Sequence, residues 1–132
     1  MASELRVDTL KDSSGSNSVG MAYVAGGSAK AFANFDGNTA SLRGSFNVSS
    51  LDDDGLGLFG VNLTSSMSDG NYNLSGGTGS GDTNVHHIHF AASNLSPTTP
   101  STSAYPVKTA NAGGAGLLDS LYTMSEAHGD LA

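Results

Sequence analysis

The sequence predicts an all-β fold: a small antiparallel β-sandwich or jelly-roll-like module carried behind an extended N-terminal arm and assembled as a trimer. Two patterns predict the strands. Short runs of alternating apolar and polar residues recur about every ten to fifteen residues, and Asp-Gly or Gly-rich turns separate them. A third observation, composition, predicts the assembly. Leu, Ile, Val and Phe make up about a fifth of the 132 residues, while Gly alone supplies 18, so few large side chains offset much backbone entropy. Such a chain gains by burying further surface against copies of itself.

Residues 1–20 form the predicted arm and linker, and residues 21–132 the module. ELRVDTLK (4–11) alternates as a short strand or extended arm, and its apolar residues Leu5, Val7 and Leu10 are the candidate attachment contacts. DSSGSNSVG (12–20) has no apolar side chain to pack apart from Val19 and is expected to be a flexible tether. AKAFANF (29–35) is a strand ended by the turn signal DGNT. SLRGSFNVSS (41–50) then alternates as one strand, with Leu42, Phe46 and Val48 on one face and Arg43, Ser45 and Asn47 on the other. LDDDGLG (51–57) is a turn. GLFGVNLTS (57–65) puts Phe59, Val61 and Leu63 on a common face, MSDG turns again, and NYNLSG (71–76) pairs Tyr72 with Leu74.

GGTGSGDT (76–83) is expected as a loop ahead of the strand VHHIHF (85–90). SNLSPTTPSTS (93–103) is a loop or extended crossing, and AYPVKTA resumes as a strand that Pro106 assigns to a sheet edge or a strand start. The last segment, LLDSLYTMSEAHGDLA, fits both a helical and a strand face. Its β context favours strand in the first half.

Charge and composition exclude several function classes. With 12 acids against 5 bases the net charge is −7 and no basic run is present, so phosphate-driven nucleic-acid binding is not expected. Absence of cysteine rules out a disulfide scaffold and a thiolate metal site. The N-terminal MASELRVDTLKD has charges where a signal peptide needs an apolar core, and no stretch is apolar enough for membrane insertion. Synthesis in a cytoplasm without cleavable secretion is the expectation.

No nucleophile elbow, phosphate loop, zinc-protease motif or dinucleotide fingerprint occurs, and GGTGSG (76–81) lacks the Lys-Ser/Thr and helix of a phosphate cradle. Asp52, Asp53 and Asp54 offer hard oxygen ligands but not the EF-hand spacing, so a solvated turn is the simpler reading. A depolymerase would need paired carboxylates in a cleft, and Asp36, Asp69, Asp82 and Asp119 all fall in expected turns. No enzyme is predicted.

The histidines remain. Three of the four lie in VHHIHF, where strand alternation sets Val85, His87 and His89 on one face and His86, Ile88 and Phe90 on the other. The pair His87 and His89 is either a ligand set or a polar stripe. Three such pairs meeting on a threefold axis would supply six nitrogens, an octahedral shell suited to iron or another transition metal.

Two stretches carry a resemblance. SELRVDTLKDSSG resembles the N-terminus of small virion structural and tail-fibre-like proteins of marine tailed bacteriophages. AKAFANFDGNTASLRGSFNVSSLDDDGLGLFGVNLTSSMSDGNYNLSG is similar to a fibre-type module of that group, with a Phe-rich strand, an SFNVSS strand, an acidic Gly turn, a VN(L/F)T strand and an (N/D)Y strand. Together they cover about half of the chain; the C-terminal half matches in strand rhythm only. The resemblance implies a virion protein, made in the host bacterial cytoplasm, that attaches to other phage structural proteins of tail or capsid through its N-terminal segment. It also implies homotrimers, because fibres and spikes of other phages hold an axial iron between His-x-His pairs, here His87 and His89.

As a tail fibre or receptor-binding component, the module would meet a host-surface saccharide or outer-membrane protein through turns at 51–57, 67–71 and 76–83, with Asn71, Tyr72, Asn73 and Tyr105 as contacts. The alternative is a capsid decoration protein or head fibre that coats or stabilises the shell.

Overall fold

Ahead of the sandwich, strands β1 (Thr9–Lys11) and β2 (Ser18–Gly20) pair antiparallel with Leu10 opposite Val19. The structure is a computed structural model that describes residues 3–81, 85–90, 97–112 and 116–132. Asp12 holds the turn between these two strands: its carboxylate accepts hydrogen bonds from Asn17 Nδ2 at 2.7 Å, Ser14 Oγ at 2.9 Å and the Ser16 N–H at 3.0 Å. Those donors, Asn17 foremost, hold its carboxyl below the usual carboxylate range. The segment expected as a flexible tether is therefore a hairpin turn closed by its own polar side chains. A short helix α1 (Met21–Gly27) follows, which the sequence reading did not anticipate. The ammonium of Lys30 reaches the Ala25 and Ser28 carbonyls at its C-terminal end, where the helix dipole favours a cation.

The remaining strands are β3 (Ala31–Asp36), β4 (Ser41–Phe46), β5 (Val48–Gly55), β6 (Leu58–Leu63), β7 (Asn73–Gly79), β8 (His86–His89), β9 (Ala104–Asn111) and β10 (Tyr122–His128). They form two antiparallel four-stranded sheets, ordered β4-β3-β10-β7 and β5-β6-β9-β8, packed as an all-β sandwich. Alternation fixes which face each strand buries. Ala31, Ala33 and Phe35 of β3 point inward, with Thr123, Ser125 and Ala127 of β10 beside them. Phe59, Val61, Tyr105 and Val107 face them from the other sheet, and the Phe35 and Phe59 rings meet edge-on at 5.0 Å. No residue before Ala31 belongs to this core cluster.

Five local expectations change. SLRGSFNVSS is two strands in two sheets, because Asn47 adopts a left-handed φ of 56° and breaks the alternation between Phe46 and Val48. Its side chain pins the corner, donating to the Lys30 and Ser65 carbonyls at 3.0 Å each and accepting the Ser65 N–H at 2.7 Å. Phe46 is consequently exposed instead of sharing an inner face with Val48. LDDDG belongs to β5, so the turn is confined to Gly55–Gly57, where Gly55 and Gly57 take positive φ.

Residues 76–79, GGTG, extend β7 instead of opening a loop. Gly76 faces inward where a Cβ would lie 2.3 Å from the Met124 carbonyl oxygen, so close packing, not flexibility, selects glycine there. Pro106 sits inside β9, between β6 and β8, and not at an edge or start. Thr109 donates its N–H to the Gly57 carbonyl, so alternation turns the Pro106 nitrogen toward β8, whose described pairing ends with His89 opposite Lys108. That ladder position lies beyond the last pair among the described residues, and proline, which has no N–H to donate, is tolerated at such a position. In the C-terminal segment the strand is Tyr122–His128, which starts late in the first half and runs into the second. Residues 117–120 instead pack across the end of the sandwich, with Leu118 bonded to Thr109 and Asp119 accepting the Gly57 N–H at 2.6 Å.

Candidate functional site

The arm residues stand clear of the sandwich. Leu5 is 79% exposed, and Val7 and Leu10 are more than a third exposed, so these apolar side chains of residues 3–20 have no core of their own to enter. A two-stranded hairpin of this size is marginal alone.

Of the four residues expected to touch a receptor, two are structural. Tyr105 is fully buried; its hydroxyl joins the two sheets through Ser125 Oγ at 3.0 Å, and burial pushes its pKa up to about 12. Tyr72 is half-buried with its hydroxyl donating to the Ser101 and Ala104 carbonyls at 2.9 and 3.1 Å, and burial raises it to about 12 as well. Neither hydroxyl is directed at a ligand. Asn71 and Asn73 are exposed beside the Asp69 turn, which Asp69 Oδ1 closes on the Asn71 N–H at 2.7 Å. The other expected contact loops shrink, since most of 51–57 and of the described part of 76–83 is strand. Asp82 lies outside the described residues.

His87 and His89 share the solvent face of β8 as alternation requires, while His86 and Ile88 turn inward and His86 Nδ1 meets Ser120 Oγ at 2.8 Å. Lys108 stands directly opposite His89 in the register and lines the same hollow. An ammonium against an imidazole pair opposes cation binding, and a threefold arrangement would bring three ammoniums with the six nitrogens. Among the described residues no group of three or more His, Asp or Glu side chains is placed to hold a metal. The donor set does not fit iron within one chain.

A different surface gathers the residues that sequence reasoning passed over. On the outer face of the β4-β3-β10-β7 sheet the register forms one row of Gly44, Asn34, Met124 and Gly77. Glycine at both ends of this row leaves a trough across the strands. Phe46, Phe32, Glu126 and Ser75 form the adjoining row, with the two phenyl rings 6.3 Å apart and near parallel at 24°.

On the opposite side Arg43 lies 4.4 Å over the Tyr122 ring and 2.7 Å from Asp36 Oδ2, which fixes that wall. The β10 end of the trough opens into a hollow of about 420 Å³ lined by Phe32, Asn34, Gly77, Met124 and Glu126 among others. Glu126 is held below the usual carboxylate range, first by the Ser75 hydroxyl at 2.8 Å and then by His128 at 3.5 Å. Asn34 Oδ1 is buried and has no hydrogen-bond partner. The alternation of Phe32, Asn34 and Asp36 against Ala31, Ala33 and Phe35 was the available signal for this face.

Comparison with protein families, with curated proteins and with solved structures finds no match for this chain. Among the described residues no helix is long and apolar enough to cross a membrane.

Proposed function

We propose that this chain is a virion structural protein of a tailed bacteriophage, a tail-fibre or receptor-binding component that attaches by residues 1–20 and presents the β-sandwich to the host surface as a homotrimer. One observation carries the reading: the core is complete from Ala31 onward, while the arm holds Leu5, Val7 and Leu10 exposed outside it. A core cluster that draws nothing from residues 3–20 leaves their apolar side chains available for the particle. The likeness of SELRVDTLKDSSG and of residues 29–76 to fibre-type phage proteins supports the same division.

Deleting residues 1–15 and counting copies of the chain per purified particle tests the attachment. Incorporation falls to background on this reading; undiminished incorporation moves the docking surface onto the sandwich. A single-particle map of the intact virion then separates a tail position from the capsid-decoration alternative, and native mass spectrometry at micromolar protein tests the trimer.

A further inference from the structure

We infer that the trough across the outer face of the β4-β3-β10-β7 sheet is a binding site for a neutral oligosaccharide. Its floor and ends are Asn34, Met124, Gly44 and Gly77, and it crosses four strands, three spacings of about 4.8 Å each, so its length suits several sugar rings. Its chemistry selects the ligand. The polar groups here are the Asn34 side-chain amide, whose buried Oδ1 has no partner, and the Glu126 carboxylate, and no Lys, Arg or His lines the hollow they share. The guanidinium on the far wall is already committed to Asp36, the Leu121 carbonyl and the Tyr122 ring.

An amide that both donates and accepts, beside a carboxylate that accepts, calls for a ligand rich in hydroxyl groups, each of which can do both. A carboxylate in the hollow of a chain of net charge −7 rejects anions. A lone carboxylate already bonded to Ser75 is a weak lure for a polycation. The exposed Phe32 ring and Met124 provide apolar surface for the C–H face of a pyranose while the acceptors take its hydroxyl edge. A second copy of this chain, itself at net charge −7, fits less well against the Glu126 carboxylate. In the virion this trough would be the surface that meets host saccharide, and to that extent the inference rests on the reading above. Binding is measured on the purified chain, so either can fail alone.

The test is a titration of the full-length ¹⁵N-labelled chain, followed by nuclear magnetic resonance, with maltotriose, cellotriose, laminaritriose, mannotriose and triacetylchitotriose, and with trigalacturonate and trilysine as charged probes. At least one neutral trisaccharide should shift Phe32, Asn34, Gly77 and Met124 while trigalacturonate leaves them unmoved. Gly77→Val should then weaken binding at least about tenfold with an unchanged melting temperature, because a Cβ at Gly77 meets nothing within 4 Å and valine favours a strand. Gly44→Val, equally free of contacts, blocks the other end if the first variant folds poorly. The inference is overturned if no neutral trisaccharide binds, if only a charged probe does, or if both variants bind as before. Shifts of these four residues on protein dilution alone would also overturn it, because a second copy would then be what covers the trough.

Discussion

The two sheets of the sandwich are built by opposite rules. In the β4-β3-β10-β7 sheet the central strands alternate strictly, burying Ala31, Ala33, Phe35, Thr123, Ser125 and Ala127 and exposing Phe32, Tyr122, Met124 and Glu126. In the β5-β6-β9-β8 sheet the central strands are buried almost throughout, Leu58 to Val61 and Ala104 to Val107 without a break. One sheet is half a core; the other is covered on both faces along its middle. The difference shows where function has room. A buried face is constrained by packing density, whereas an outer face that still carries two phenyl rings, a tyrosine and a methionine is maintained at a cost in solubility.

Substitutions at matched positions break or sharpen that contrast. Phe35→Ala removes the inward ring that meets Phe59, and urea denaturation should show a loss of about 3–5 kcal/mol. Phe32→Ala, three residues away on the outer face, should cost about 1 kcal/mol or less; equal losses would mean that the outer face is as much core as the inner. The neighbouring glycines of β7 repeat the comparison within one strand. Gly76→Ala drives a methyl against the Met124 carbonyl oxygen and should cost roughly 1–3 kcal/mol, while Gly77→Ala enters open space and should leave the unfolding midpoint unchanged or slightly raised.

The contact joining the sheets supplies a polar probe. Tyr105→Phe leaves the Ser125 hydroxyl buried without its partner and should cost about 1–2 kcal/mol at neutral pH. Its pH signature is more specific than its size. The Tyr72 and Tyr105 hydroxyls, at about 12 in the folded chain against an ordinary 10.0, favour the folded state while they stay neutral. That contribution is present in full below about pH 10 and is lost as pH rises through about 12. Melting temperatures measured from pH 8 to 12 should therefore hold level and then fall, and the fall should be shallower in Tyr105→Phe. An unchanged profile would mean that Tyr105 ionises as freely as an exposed tyrosine.

Legibility of the fold in the sequence tracked the same contrast. The runs AKAFANF, GLFGVNL and VHHIHF are strands, the last two with the faces the alternation predicts, because period-two alternation is local information. The reading failed at Asn47, at Gly76 and at Pro106, where the residue type is explained by a partner distant in sequence: the Lys30 and Ser65 carbonyls, the Met124 carbonyl, and the end of β8. The site followed suit. Tyr72 and Tyr105 were chosen as contacts because tyrosines stack well on ligands, yet the hydroxyl of each closes a bond inside the sandwich. Phe32, Asn34 and Met124 were overlooked because each is unremarkable alone, and only the register sets them beside one another.

By itself the sequence determined that the chain is β, antiparallel in rhythm, acidic and free of thiol chemistry. Those properties are sums or short-range periods, which survive without knowledge of partners. Tertiary structure alone decided which strands became neighbours, that one sheet would be covered on both faces along its middle and the other on one, and that two glycines from opposite edges would frame a trough around Asn34 and Met124. Strand order joins residues as far apart as Gly44 and Met124, and no local pattern encodes a pairing that the closing of the sandwich selects.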